Sequence, residues 1–188
     1  MIGVLNKMNI FVKLWKRALT KFGDVMLATA PPKVRAQHIR DLLAVVQVGD
    51  ILLRKYLYYL DSYFIPGAYT HSGILVDDKN MVHSIAEGVN YIDIIDFVKD
   101  CDGFAICRPP YKTDLQKHLS VQFAIDHVGC GYDFFFGLWP KYSNNTFYCH
   151  ETSIACIDAA GLPTTQKNHV LLADDIINCT ELIYTAEV

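Results

Sequence analysis

A thiol and a pair of imidazoles occupy settings in this sequence that suit attack on a carbonyl. A cysteine becomes a strong nucleophile only when its pKa is lowered, and a helix N-terminus or a neighbouring imidazolium does that. Cys149 follows the apolar pair Phe147-Tyr148 and precedes Glu151–Ala160, whose apolar positions Ile154, Ala155, Ile157 and Ala159 read as a helix stopped by Gly161. Its sulfur is therefore expected at the positive end of that helix. The other five cysteines (Cys101, Cys107, Cys130, Cys156, Cys179) form no C-x-x-C pair and lack such a setting. They read as reduced, mostly buried hydrophobes. His71 and His83 lie on two strand-like runs, His71–Val76 and Met81–Ile85, joined by the turn Asp77-Asp78-Lys79-Asn80. The turn brings both imidazoles toward one end of the hairpin, and its geometry decides whether they share a face. If they do, one ring can take the Cys149 proton while the other orients it. The alternative for each histidine is a satisfied core or surface side chain.

The elements that must hold these residues are short. From Gly49 onward the sequence reads as a strand over Asp50–Arg54, a Tyr-rich segment over Tyr56–Tyr63, the hairpin, and a further strand over Val89–Ile92. A short helix or turn over Ile94–Lys99, a strand over Ala105–Arg108 and a helix over Leu115–Val128 follow. A loop rich in Gly, aromatics and Asn leads to Cys149. The class is α+β: a small antiparallel sheet or partial barrel with helices packed on it. Residues 8–28 have a helical stripe of Met8, Phe11, Trp15, Ala18, Phe22 and Val25 beside Lys13, Lys16, Arg17 and Lys21. Pro31-Pro32 end that helix, and a second short one is expected from about Val34 to Val46. The expected division is a basic helical extension over 1–44 and a catalytic domain over 45–188.

One ordered series carries a resemblance. It runs Gly49-Asp50-Ile51-Leu52, Thr70-His71-Ser72-Gly73, Met81-Val82-His83-Ser84, Gly131-Tyr132-Asp133 and Phe147-Tyr148-Cys149-His150-Glu151. Over about residues 45–180 this resembles the permuted branch of the NlpC-type papain-like cysteine hydrolases, the YiiX/YebB-like group. It is also similar to the related lecithin retinol acyltransferases. The resemblance implies a permuted papain-like fold with the histidine before the cysteine, Cys149 as nucleophile and His71 as base. It implies that the third polar residue is His83, with Glu87 as a weaker alternative. Tyr132 matches the family tyrosine that positions the thiolate or helps line the oxyanion site with the Cys149 N–H. Glu151 matches an acid that supports the helix start. His150 departs from the usual Ser or Thr and reads as exposed and idle, with substrate contact as the other option.

Composition bounds the function. At 188 residues and 52% hydrophobic, the chain can bury a real core. Residues 1–40 hold eight Lys/Arg against the single acid Asp24, so the net charge of −3 conceals a basic head on an acidic body. An acidic body whose basic excess is confined to the N-terminal head argues against nucleic-acid binding. The basic aromatic helix over 8–28 suits either peripheral membrane contact or packing on the chain's own domain. No secretory signal and no long apolar run is evident, so a cytoplasmic protein is expected, with peripheral membrane association as an option. No cofactor is called for. A metal site from His71, His83, Cys149 and His150 lacks the usual close-spaced ligand pairs. The expected reaction is cleavage of an amide or ester, lipid-linked or peptide, through a Cys149 thioacyl intermediate. Acyl transfer and a non-catalytic membrane- or partner-binding module are the alternatives. The aromatic residues of Tyr56–Tyr63, Phe134, Phe135, Phe136 and Trp139 read first as core and otherwise as an acyl groove.

Overall fold

The computed structural model describes residues 14, 17, 18, 21, 25–27, 30–57, 65–136, 145–164 and 170–187. Its centre is an open six-stranded antiparallel sheet rather than a barrel. The strands are β1 (Ile51–Lys55), β2 (His71–Leu75), β3 (Asn80–Ile85), β4 (Gly88–Asp93), β5 (Gly103–Arg108) and β8 (Glu181–Glu187), in the order β4-β3-β2-β1-β5-β8. A separate parallel pair, β6 (Gly131–Tyr132) and β7 (Thr146–Phe147), lies beside β4 through the bond from Val89 N–H to Cys130 O. Five helices accompany them among the described residues: α1 (Ala36–Val45), α2 (Ile94–Val98), α3 (Asp114–Asp126), α4 (Cys149–Ala159) and α5 (Ala173–Asn178).

Both faces of the sheet are covered, so its central strands are apolar on alternate residues in both directions. Ile51, Leu53, Ile74 and Val82 pack toward Ile154 and Ile157 of α4. Leu52, Leu75 and Met81 pack the other way, with Phe97 of α2 and Leu42 of α1. Leu42 is fully buried, so α1 contributes to the core of that second face.

Local chemistry sets the connections. The Asp77 carboxylate accepts from the N–H groups of Lys79 and Asn80, which closes the β2–β3 turn. The Asp93 side chain accepts from Ile95 and Asp96 and starts α2, and Thr113 does the same for α3 through Gln116. Asp50, buried just before β1, accepts from both Arg108 nitrogens at 2.8 Å and from Gln47 N–H. That bidentate pair ties the start of β1 to the end of β5.

Leu14, Arg17, Ala18 and Lys21 are helical and exposed. Val25, Met26 and Leu27 are exposed and not helical, so the helix expected over 8–28 does not extend through them; its other residues, most of Tyr56–Tyr63, and Trp139 lie outside the described residues. No helix among the described residues is long and apolar enough to cross a membrane.

Candidate active site

Cys149 is the first residue of α4, and the chain enters it along a firmly held path. Ser84 Oγ donates to Phe147 O at 2.6 Å, and the Tyr148 hydroxyl accepts from Leu171 N–H at 2.7 Å. Tyr148 is extended and caps the helix, so Cys149 sits on the turn whose N–H groups have no partner within the helix. The thiol is 5% exposed and points at Thr70 O, 3.9 Å away. Burial pushes its pKa up to about 11, opposed by the N–H groups of His150, Ser72 and Cys149 itself and by the charge of Arg54. The helix start expected to lower this pKa does pull it down, but removal from water is the larger effect. The resting site therefore holds a thiol, not a thiolate.

His71 and His83 share a face. Gly73 of β2 pairs with His83 of β3, so His71, two residues earlier, is the diagonal neighbour of His83. His71 Nε2 and His83 Nδ1 are 3.0 Å apart, one donating and the other accepting, with the rings edge-on at 77°. Gly73 permits this approach, since a Cβ there would stand 3.0 Å from Val82 O and 3.1 Å from His83 Cβ. Phe97 packs on both rings, with centroids 5.6 and 6.0 Å away. Burial holds the His71 pKa well below 6.5, and the positive charge of Arg54 adds to this. The same two causes lower His83 to about 4. Both imidazoles are consequently neutral at pH 7.

The thiol and the two imidazoles meet along β2. His71 and His83 stand on the side where Phe97 packs, whereas Ser72 and Ser84 reach α4 and β7 on the other. The Cys149 sulfur meets β2 at its backbone, beside Thr70 O and the Ser72 N–H. Among the described residues, no hydrogen bond joins that sulfur to either imidazole; the thiol's bond goes to Thr70.

His150 is not exposed, as the sequence suggested, but 2% exposed and turned into the sheet. Its Nδ1 lies 3.0 Å from Ser72 Oγ, which is 2.9 Å from Ser153 Oγ, and Ser153 Oγ donates to Cys149 O at 3.4 Å. Its Nε2 is buried with no hydrogen-bond partner, and burial lowers its pKa to about 4. α4 is buried continuously from Cys149 to Ile157, polar first turns included, which is why polarity alone could not place residue 150 on an outer face.

Sequence reasoning also missed Arg54. It is the Cα partner of His71 across β1 and β2, and its Nη1 donates to Phe97 O at 2.8 Å. Its guanidinium carbon lies 4.4 Å from the Phe97 ring centre and 5.1 Å from that of Tyr56. The available signal was a cation ending the apolar run Ile51-Leu52-Leu53, a strand with no solvent face to give it.

The remaining candidates separate. Tyr132 pairs with Phe147, two residues before Cys149, and its ring meets Phe134 edge-on at 4.9 Å. Glu151 is buried in the first turn of α4. Glu87 is exposed in the β3–β4 turn, so His83 is the residue beside His71. Cys156 is fully buried in the core. Among the described residues, no three His, Cys, Asp or Glu side chains converge as a metal site.

Residues 45–178 match the family model of the permuted papain-like amidase enzymes of the YaeF/YiiX type, family C92. The fold is similar to the crystal structure of yiiX from Escherichia coli O157:H7, described as a metalloprotein, with a TM-score of 0.63 and 17% identity. That likeness covers 76% of this chain and 98% of the other, and at this identity it concerns the fold alone. No functionally curated protein matches the sequence. Because the family model spans well over half of the chain, the protein belongs to the permuted papain-like amidases and is a hydrolase of that kind.

Proposed function

We propose that Cys149 is the nucleophile of an amidase in which His71 is the general base and His83 orients it. The observation that carries this reading is the His71 Nε2–His83 Nδ1 bond of 3.0 Å on β2, beside a thiol that begins α4 and rests against the backbone on both sides of His71. A protonated thiol opposite a neutral imidazole calls for general-base catalysis rather than a preformed ion pair. As the sulfur attacks the amide carbonyl, its proton passes to His71. The oxyanion gathers at the Cys149 N–H, with Tyr132 on the same side of the entry loop. The amine leaves with the His71 proton, and water then cleaves the thioester by the same base. Glu151 supports the first turn of α4. The substrate is a peptide or lipid-linked amide.

Acyl and peptidyl p-nitroanilides test the proposal. Turnover with an acyl adduct on Cys149 by intact mass is expected, with none in Cys149→Ala. His71→Ala should lose about 100- to 10,000-fold in kcat. Because burial and Arg54 keep His71 unprotonated below its ordinary 6.5, the acid limb of kcat/KM should fall below that value. Full turnover by Cys149→Ala would overturn the assignment.

A further inference from the structure

We propose that Arg54 is a carboxylate-binding subsite, so that the amides this protein cleaves carry a free carboxylate close to the scissile bond. This rests on the reading of Cys149 and His71 as the reacting pair.

A cation on a central strand is costly unless something negative accompanies it. Arg54 is half-buried and forms no ion pair with any described carboxylate; the ion pairs formed there belong to Lys99, Arg108 and Lys117. Asp102, at the neighbouring end of the sheet, gives a carboxylate oxygen to Leu57 N–H instead. Among the described residues, the hydrogen bonds of the five Arg54 N–H donors account for one, to Phe97 O, and Nε is buried with no partner. The head group is nonetheless held in place, over Phe97 on one side and against Tyr56 on the other. A planar donor fork beside aromatic rings, with no anion among the described residues, is the arrangement that suits bidentate carboxylate recognition.

Its place in the fold joins it to the reaction. Arg54 is opposite His71 in the β1–β2 register, and Phe97 touches Arg54, His71 and His83 together. Its charge also reaches the Cys149 sulfur, which it draws toward the thiolate. A carboxylate seated on Arg54 would therefore lie beside the base, and would cancel a charge that otherwise opposes His71 taking a proton.

Alkylation of Cys149 tests this without a known substrate. Iodoacetate and iodoacetamide deliver nearly the same carbon to the sulfur, one with a carboxylate and one with an amide. The iodoacetate-to-iodoacetamide rate ratio at Cys149, followed by mass spectrometry, should exceed that of glutathione by about tenfold, the factor a charge-assisted hydrogen bond of about 1.4 kcal/mol supplies. Arg54→Gln should return the ratio to the glutathione value, and Arg54→Lys should keep part of it. A wild-type ratio equal to that of glutathione would overturn the subsite while leaving Cys149 reactive. A Cys149 inert to both reagents would instead count against its role as nucleophile. The subsite then stands or falls on the Arg54 Nε–H resonance of the wild type, which should shift saturably with propionate and not with propionamide. Absence of that shift overturns the proposal.

Discussion

Mild acid should destabilise this protein through its buried histidines. His83 and His150 are each held to about 4, and His71 lies well below 6.5, with burial the first cause in all three. In the unfolded chain each ring titrates near 6.5. Below that pH the unfolded state takes up protons that the folded state refuses. The stability contributed by the neutral rings is therefore complete above the unfolded value and lost as pH falls toward the folded one. At about pH 5, His83 and His150 each account for a loss of about 2 kcal/mol, and His71 adds to it in the same direction. A domain of this size is stable by about 5–15 kcal/mol in all, so that loss is a large share. Urea unfolding between about pH 7.5 and about pH 5, followed by tyrosine and tryptophan fluorescence, measures it. The slope should approach about 1.4 kcal/mol per pH unit for each ring, and His150→Leu should remove one ring's share. The exposed Asp77 carboxyl, held below its ordinary value by the Asn80 side chain and the Lys79 and Asn80 N–H groups, titrates below this window. An unchanged unfolding free energy across the window, or a His150→Leu variant with the wild-type slope, would refute the argument.

Two further substitutions probe the frame of the site. Gly73→Ala places a methyl 3.0 Å from Val82 O and 3.1 Å from His83 Cβ, so β2 and β3 must part. It should cost about 1–3 kcal/mol in urea unfolding and lower kcat by weakening the His71–His83 bond; wild-type values for both would show that the strands have slack. Ser72→Ala removes the partner of His150 Nδ1 in a dry interface and should cost about 1–3 kcal/mol. In a His150→Leu background, where no polar ring is left stranded, the same change should cost under about 1 kcal/mol, and equal costs in both backgrounds would contradict the network.

The sequence was most legible where period and turn chemistry agreed. The Asp77–Asn80 turn and the strands on either side of it lie where composition puts them, and the helix expected over Glu151–Ala160 forms but begins two residues earlier, at Cys149. The pairing of His71 with His83 was legible only as a condition, because the face a strand residue takes depends on the turn that sets its register. Helix α4 concealed more. Its polar first turns are buried as fully as its apolar ones, so polarity along the helix could not say that His150 turns toward Ser72. Arg54 was hidden for a related reason: at the end of an apolar strand it resembles a solvent-facing terminus, and only the placement of Phe97 reveals what surrounds it. The suppression of the Cys149 thiolate depends on how deeply α4 is sunk, a tertiary quantity that no local pattern carries.

Residues 71 and 72 are consecutive on one strand yet answer to opposite sides of the sheet, the first to His83 and Phe97, the second to His150 and Ser153. Successive side chains of a strand cannot be turned independently, because a rotation of the backbone that refits one swings its neighbour. A histidine at position 150 is accommodated through Ser72, and any change there has to leave His71 undisturbed. Drift at 72 and 150 should therefore be inherited together, and a library that randomises the two jointly should yield active combinations that neither position reaches alone.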